Sequence, residues 1–136
     1  MSVTPREVAR LIAAGRIAIG AGLLIAPRLA TRPWIGKDAA RPGTRVIARA
    51  MGARDLVIGA IALHTLGHPQ VGPRWQKAGA AVDGVDLAAT LAARRELPRG
   101  GVALVVTMAT IGVSGQLWAA AGLGRTGQTS PPQATV

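Results

Sequence analysis

The chain has no cysteine, phenylalanine or tyrosine, and only six acidic residues against sixteen basic ones. Without cysteine there are no disulfides, thiolate metal sites or thiol nucleophiles, and the redox compartment is left open. A soluble domain of 136 residues normally uses aromatic side chains to build its core, and here only Trp34, Trp75 and Trp118 exist. Packing must rest on Ala, Gly, Val, Leu and Ile. Such small residues allow close helix contact in lipid, where shape fit and hydrogen bonds replace the hydrophobic effect between helices. The shortage of acids gives a formal net charge of +10 and a pI near 12. A nucleic-acid partner is not expected, because the basic residues form no single stripe and stacking aromatics are missing. Anionic lipid headgroups account for the same excess, at about 1 kcal/mol per basic residue near the surface.

Against these absences stands one long uncharged run, Gly101 to Leu123. A bilayer core about 30 Å thick needs about 20 apolar residues at ~1.5 Å each, so this run is long enough to span it. Three further apolar stretches suggest spans at about 5–26, 44–66 and 74–95. The expected fold is all-α, a four-transmembrane-helix antiparallel bundle over residues 1–123, with 124–136 as a disordered tail. Thr4 is the expected N-cap and Pro5 the first helical residue. Arg16 interrupts the first stretch and no small-residue cleavage pattern precedes Pro27, so this segment reads as a membrane helix rather than a leader. Residues 27–43, rich in Pro, Gly and Arg, read as an interfacial loop with Trp34 at headgroup depth.

With four spans, the first and third loops share a face. They carry Arg28, Arg32, Lys37, Arg41, Arg45, Arg94, Arg95 and Arg99. The opposite face has Arg6, Arg10, Arg74, Lys77 and Arg125. The positive-inside rule therefore predicts a multi-pass protein of the cell membrane with both termini extracytoplasmic.

The informative constellation lies inside the spans: Arg16, Arg49, Arg54, Asp55, Asp83 and Asp86. Arg16, Asp55, Asp83 and Asp86 fall at similar depths in an antiparallel bundle. Arg16 shares a helical face with Ala9, Ala13 and Gly20, Asp55 with Ala48, Gly52 and Gly59, and Asp83 with Gly79, Asp86 and Thr90. Each charge sits on a small-residue face, where a neighbouring helix belongs. Facing lipid would cost at least about 2.5–3.5 kcal/mol per residue. Three arginines against three aspartates predict a neutral interior, with Arg54 and Asp55, about 100° apart around their helix, serving different partners.

Two readings follow. Buried ion pairs can fix helix register with little net stability, or intramembrane carboxylates can mark a proton, ion or ligand pathway. Asp83 and Asp86, three apart on one face, could share one proton and are the candidate acid–base or proton-carrying groups. Arg16, Arg49, Arg54 and Asp55 are the candidate binding residues. His64 and His68, four apart, lack an obvious third ligand, so neither a metal nor any cofactor is expected. Gln116 and its polar neighbours on the last span are expected to make interhelical or backbone hydrogen bonds.

The strings ARAMGARDLVIG (Ala48 to Gly59), RWQKAGAAVDGVDLAAT (Arg74 to Thr90) and APRLATRPWIG (Ala26 to Gly36) resemble small four-helix integral membrane proteins of high-GC bacteria, known as a domain of unknown function. The resemblance covers roughly residues 10–120. It implies a membrane location and a charged core at Arg49, Arg54, Asp55, Asp83 and Asp86, and no established activity.

The leading expectation is a protein of the lipid bilayer that binds or transports a small hydrophobic or lipidic molecule. The alternatives are a membrane-embedded acid–base enzyme (an isomerase, cyclase or hydrolase on a hydrophobic substrate) and a structural accessory subunit. Four helices enclose little volume, so a homodimer is expected to supply any large pocket.

Overall fold

A computed structural model describes residues 3–128. Among them every regular element is helical: α1 (Pro5–Ile25), α2 (Pro27–Ile35), a 3-10 turn (Gly36–Ala40), α3 (Pro42–His64), α4 (Val71–Ala92) and α5 (Arg99–Gln128). The first helix starts as its sequence dictates. The Glu7 amide donates to Thr4 Oγ1 (3.2 Å) and the Thr4 amide donates to Glu7 Oε2 (2.8 Å), a reciprocal capping box ahead of Pro5.

Three segments depart from the sequence reading. Residues 27–43 are not a loop. Proline lacks the amide hydrogen that the first helical turn leaves unsatisfied, so Pro27 and Pro42 open α2 and α3 rather than merely ending what precedes them. The third long helix starts at Val71 and not Arg74, because Pro73 falls within its first turn, where no intrahelical amide is needed. Residues 124–128 of the expected tail continue α5, and the remainder of that segment lies outside the described residues.

The four long helices form two close pairs. In the first, α1 runs antiparallel to α3 with backbones nearly touching. A Cβ on Gly20 would lie 2.7 Å from the Gly52 carbonyl oxygen, and a Cβ on Gly52 would lie 2.7 Å from that of Gly20. Two turns away, a Cβ on Gly59 would lie 2.9 Å from the Ala13 oxygen. Only glycine permits this approach. In the second pair α4 runs antiparallel to α5, while α1 also touches α5 and α3 meets α4 through few contacts. The short helix α2 lies across the end where α1 finishes, packed on α1, α3 and α5, with the backbone of Trp34 against Gly101.

The interior is built of small side chains: Ala9, Ala13, Ala48, Ala62, Ala80, Ala109, Ala119 and Ala120 are all buried. Of the large apolar residues only Leu23 and Leu66 are buried, and many are exposed, among them Leu11 (69% exposed), Val57 (57%), Val85 (65%) and Ile111 (62%). Among the described helices, α1 and residues Arg99–Arg125 are long and apolar enough to cross a membrane. The other two long helices do not meet that measure on composition, since Arg45, Arg49, Arg54 and Asp55 interrupt α3 and Arg74, Lys77, Asp83 and Asp86 interrupt α4.

Candidate functional site

Charged side chains converge from three helices where α1, α3 and α4 face one another. Arg16 is 8% exposed and projects from the glycine–alanine face of α1. Its Nη1 donates to Asp55 Oδ1 at 3.0 Å and its Nη2 to Asp83 Oδ1 at 2.5 Å, with the Gly79 carbonyl a further acceptor at 3.4 Å. One guanidinium thereby ties α1 to both α3 and α4. Its planar fork can address two carboxylates at once, which a lysine ammonium does with less directional control.

Arg54 makes the second bridge. It holds Asp86 through both nitrogens of its fork, Nη1 to Oδ1 at 3.3 Å and Nη2 to Oδ2 at 2.8 Å. Its Nε and Nη2 also reach Asp55 Oδ1, each at 3.3 Å. Across helices Arg54 and Asp55 serve different partners, as expected, Asp86 and Arg16 respectively, and in addition they touch each other. The long arginine side chain folds back over its neighbour, so the angle between their Cα positions does not separate their charged ends.

Asp83 completes its shell from the far side. Gln116 on α5 donates from Nε2 to Asp83 Oδ2 at 2.5 Å and to the Gly112 carbonyl at 3.0 Å. Two glycines make room: a Cβ on Gly79 would collide with Gln116 Oε1, and one on Gly112 with Asp83 Oδ2. The i+4 spacing of Gly112 and Gln116 places the gap and the donor on one face of α5. The sequence suggested the hydrogen-bonding role of Gln116, but nothing in it identified Asp83 as the partner.

Five of the six interior charges meet in this cluster. Arg49 does not. It is exposed and donates from Nε to the Leu24 carbonyl at 3.3 Å. Leu24 lies in the last turn of α1, where carbonyls lack intrahelical partners and no basic residue of α1 is present. Arg49 supplies the missing donor and positive charge. The predicted three-to-three balance is thus corrected to two guanidiniums and three carboxylates, a formal charge of −1 when all are ionised. A proton shared between Asp83 and Asp86 loses its basis as well, because each carboxylate has its own arginine.

The cluster forms one wall of a cavity of about 350 Å³. Arg16, Asp55, Asp83 and Asp86 are the charged lining, and the rest is mostly apolar, including Ile12, Ile19 and Leu23 of α1, Met51 of α3 and Leu104, Met108 and Ile111 of α5. Trp34 contributes to the wall, with its Nε1–H buried and without a hydrogen-bond partner. It lies on α2, across the end of the bundle, half-buried with its backbone against Gly101 at the start of α5. The cavity opens within one chain, so a second copy is not needed to form it. Elsewhere, His68 Nδ1 accepts from the Val71 amide at 3.4 Å, at the start of α4. Among the described residues no three His, Cys, Asp or Glu side chains are grouped to hold a metal ion.

Comparison with protein-family models, with curated proteins and with solved structures finds no match. The chemistry of this cluster and its cavity therefore carries the functional reading.

Proposed function

We propose that the protein is a multi-pass integral membrane protein whose four long helices all cross the bilayer, and that its half-open cavity beside the charged cluster binds a small hydrophobic molecule. The observation that carries this reading is the inverted distribution of side chains. Alanine, glycine and paired charges lie inside, while leucine, isoleucine and valine lie on the surface of all four long helices. In water such a surface would drive association; in lipid it is the ordinary exterior of a helix bundle. Four of the eight charges that keep α3 and α4 from reading as spans support the same picture, while Arg45, Arg49, Arg74 and Lys77 are exposed. Arg54, Asp55, Asp83 and Asp86 are paired, and their pairing offsets part of the penalty that lone charges would meet in hydrocarbon.

Orientation follows from the ends. Exposed Arg28, Arg32, Lys37, Arg41, Arg45, Arg94, Arg95 and Arg99 gather where α2 crosses the bundle. That end faces the cytoplasm by the positive-inside rule, which leaves both termini outside. A cavity of this volume lies within the range of small-molecule sites, and its composition, apolar walls with a few convergent polar groups, is that of a binding pocket.

Gly15 gives a direct test. It lines the cavity, and a Cβ there meets nothing within 4 Å. Protein in nanodiscs of zwitterionic lipid is expected to bind the neutral fluorophore 1-aminoanthracene saturably above empty nanodiscs. Gly15→Phe fills the space and abolishes that binding. Gly22→Phe, equally unobstructed but away from the cavity, leaves it intact. Equal uptake by empty nanodiscs would overturn the reading.

A further inference from the structure

The cluster is short of positive charge, and one of its oxygens is unused. Asp83 accepts on both oxygens, from Arg16 and Gln116, and Asp86 accepts on both from Arg54. Asp55 is arranged differently. Three N–H groups, from Arg16 and Arg54, all converge on Oδ1. Among the described residues none donates to Oδ2. Asp55 is only 8% exposed and lines the cavity. The Asp55 side chain keeps 11% of its surface accessible, so this oxygen is a free acceptor in a largely apolar cavity, and an excess charge held away from bulk water normally has a counter-charge. The free acceptor and the excess charge fall at the same residue, on the wall of a pocket that is otherwise apolar.

We propose that the cavity binds a lipophilic amine in its ammonium form, the N⁺–H donating to Asp55 Oδ2 and the apolar body lying over Ile19, Leu23 and Met108. This rests on the cavity being a binding site and adds the charge class of its ligand. A primary or secondary ammonium supplies the missing donor and neutralises the formal −1 in one step. An anionic ligand would compound the excess charge. A neutral apolar ligand would leave both the charge and the oxygen unmatched. A metal ion is poorly served, because the nearest carboxylates already accept from guanidiniums, and those cations would be displaced or opposed.

The test compares 4-phenylbutylamine, protonated at neutral pH, with pentylbenzene, which replaces the ammonium by a methyl group of similar size. Each competes with 1-aminoanthracene for the full-length protein in zwitterionic nanodiscs. The amine is expected to displace the fluorophore at a concentration at least about tenfold lower than the hydrocarbon, the scale of one charge-assisted hydrogen bond away from water. Asp55→Asn keeps an oxygen for the arginines and removes the excess charge, and should bring the two competitors within about threefold of each other. Should Asp55→Asn fail to give monodisperse protein, Asp86→Asn removes the same unit of charge from a more exposed member of the cluster and should narrow the gap in the same direction. Equal competition in the unsubstituted protein would overturn the charge assignment while leaving the cavity as a binding site. No saturable binding of the fluorophore would overturn the cavity reading, and this inference with it. A preference for the amine that survives both substitutions would also overturn it.

Discussion

The seam between α1 and α3 and the seam between α4 and α5 both depend on glycine, and they use it for opposite purposes. Along α1–α3, Gly20 and Gly52 remove side chains so that two backbones can meet, each glycine against the other's carbonyl oxygen. Along α4–α5, Gly79 and Gly112 remove side chains so that polar groups can fit, the amide of Gln116 and the carboxylate of Asp83. The first seam is closed by backbone contact and cannot adjust without moving a helix. The second is filled by the ends of side chains that can rotate. The charged cluster lies where the two pairs face each other; Arg54 bridges the otherwise thin α3–α4 contact directly through Asp86, and Arg16 does so from α1 through Asp55 and Asp83. In the proposed lipid setting little is gained from burying apolar surface between helices, so contact area and hydrogen bonds must hold the bundle together. This molecule assigns those two tasks to different seams.

The largest disturbance should come from removing the group that couples both pairs. Arg16→Met leaves Asp83 with no guanidinium and Asp55 with only Arg54, and breaking a buried pair in this way costs about 3–5 kcal/mol. Thermal unfolding in detergent should show a large drop in Tm, and adding Asp83→Leu to the same protein should recover much of it. A double variant no better than the single one would mean that Arg16 matters for packing alone.

Next in size is the difference between the glycine seams. Gly52→Ala places a methyl against the Gly20 oxygen, the Leu23 Cβ and the Leu24 amide, at 2.7, 2.9 and 3.1 Å, so the helices must separate. Overpacking of this kind costs about 1–3 kcal/mol, here toward the upper end because backbone cannot yield. Gly112→Ala meets only the Asp83 side chain, which can turn away, and should cost less, about 1 kcal/mol for the weakened hydrogen bonds. Equal losses at the two positions would erase the distinction between the seams.

The smallest effect is expected from Arg49→Ala. An exposed arginine of α3 that reaches the end of α1 contributes on the scale of a helix-terminus charge, about 0.3–1 kcal/mol, and its removal should leave ligand binding unchanged. A loss comparable to Arg16→Met would place Arg49 in the cluster after all.

What could be read from the chain follows from this division of labour. The inward faces of α1 and α3 were legible, because the residues sharing a face with Arg16 and with Asp55 are small, and a 3.6-residue period places them together. The buried residues Ala9, Ala13, Arg16 and Gly20 of α1, and Ala48, Gly52, Asp55 and Gly59 of α3, follow that pattern. On α4 Gly79 and Thr90, placed on the face of Asp83, are buried as well, while Gln76 and Ala80 are also buried and had no charge to draw attention to them. Charge counting failed at Arg49 because depth along a helix does not say which way a side chain turns, and a helix end nearby was the stronger acceptor. The pocket was not legible either. It depends on α2 folding across the bundle, and a segment dense in proline and arginine gives no periodicity by which to see that.

The account turns on whether α3 and α4, with their paired charges inside, lie in lipid. The absence of cysteine makes this directly measurable, since a single cysteine can be introduced at Val57 or Val85 and spin-labelled without competing sites. Relaxation by oxygen, which concentrates in hydrocarbon, is compared with relaxation by a water-soluble nickel chelate in reconstituted protein. The account predicts strong oxygen relaxation and almost none from nickel at both positions, matching a label at Ile111 on α5. Nickel relaxation at Val57 and Val85 equal to that of a label in water would contradict it, and would place these two helices and their charges outside the membrane.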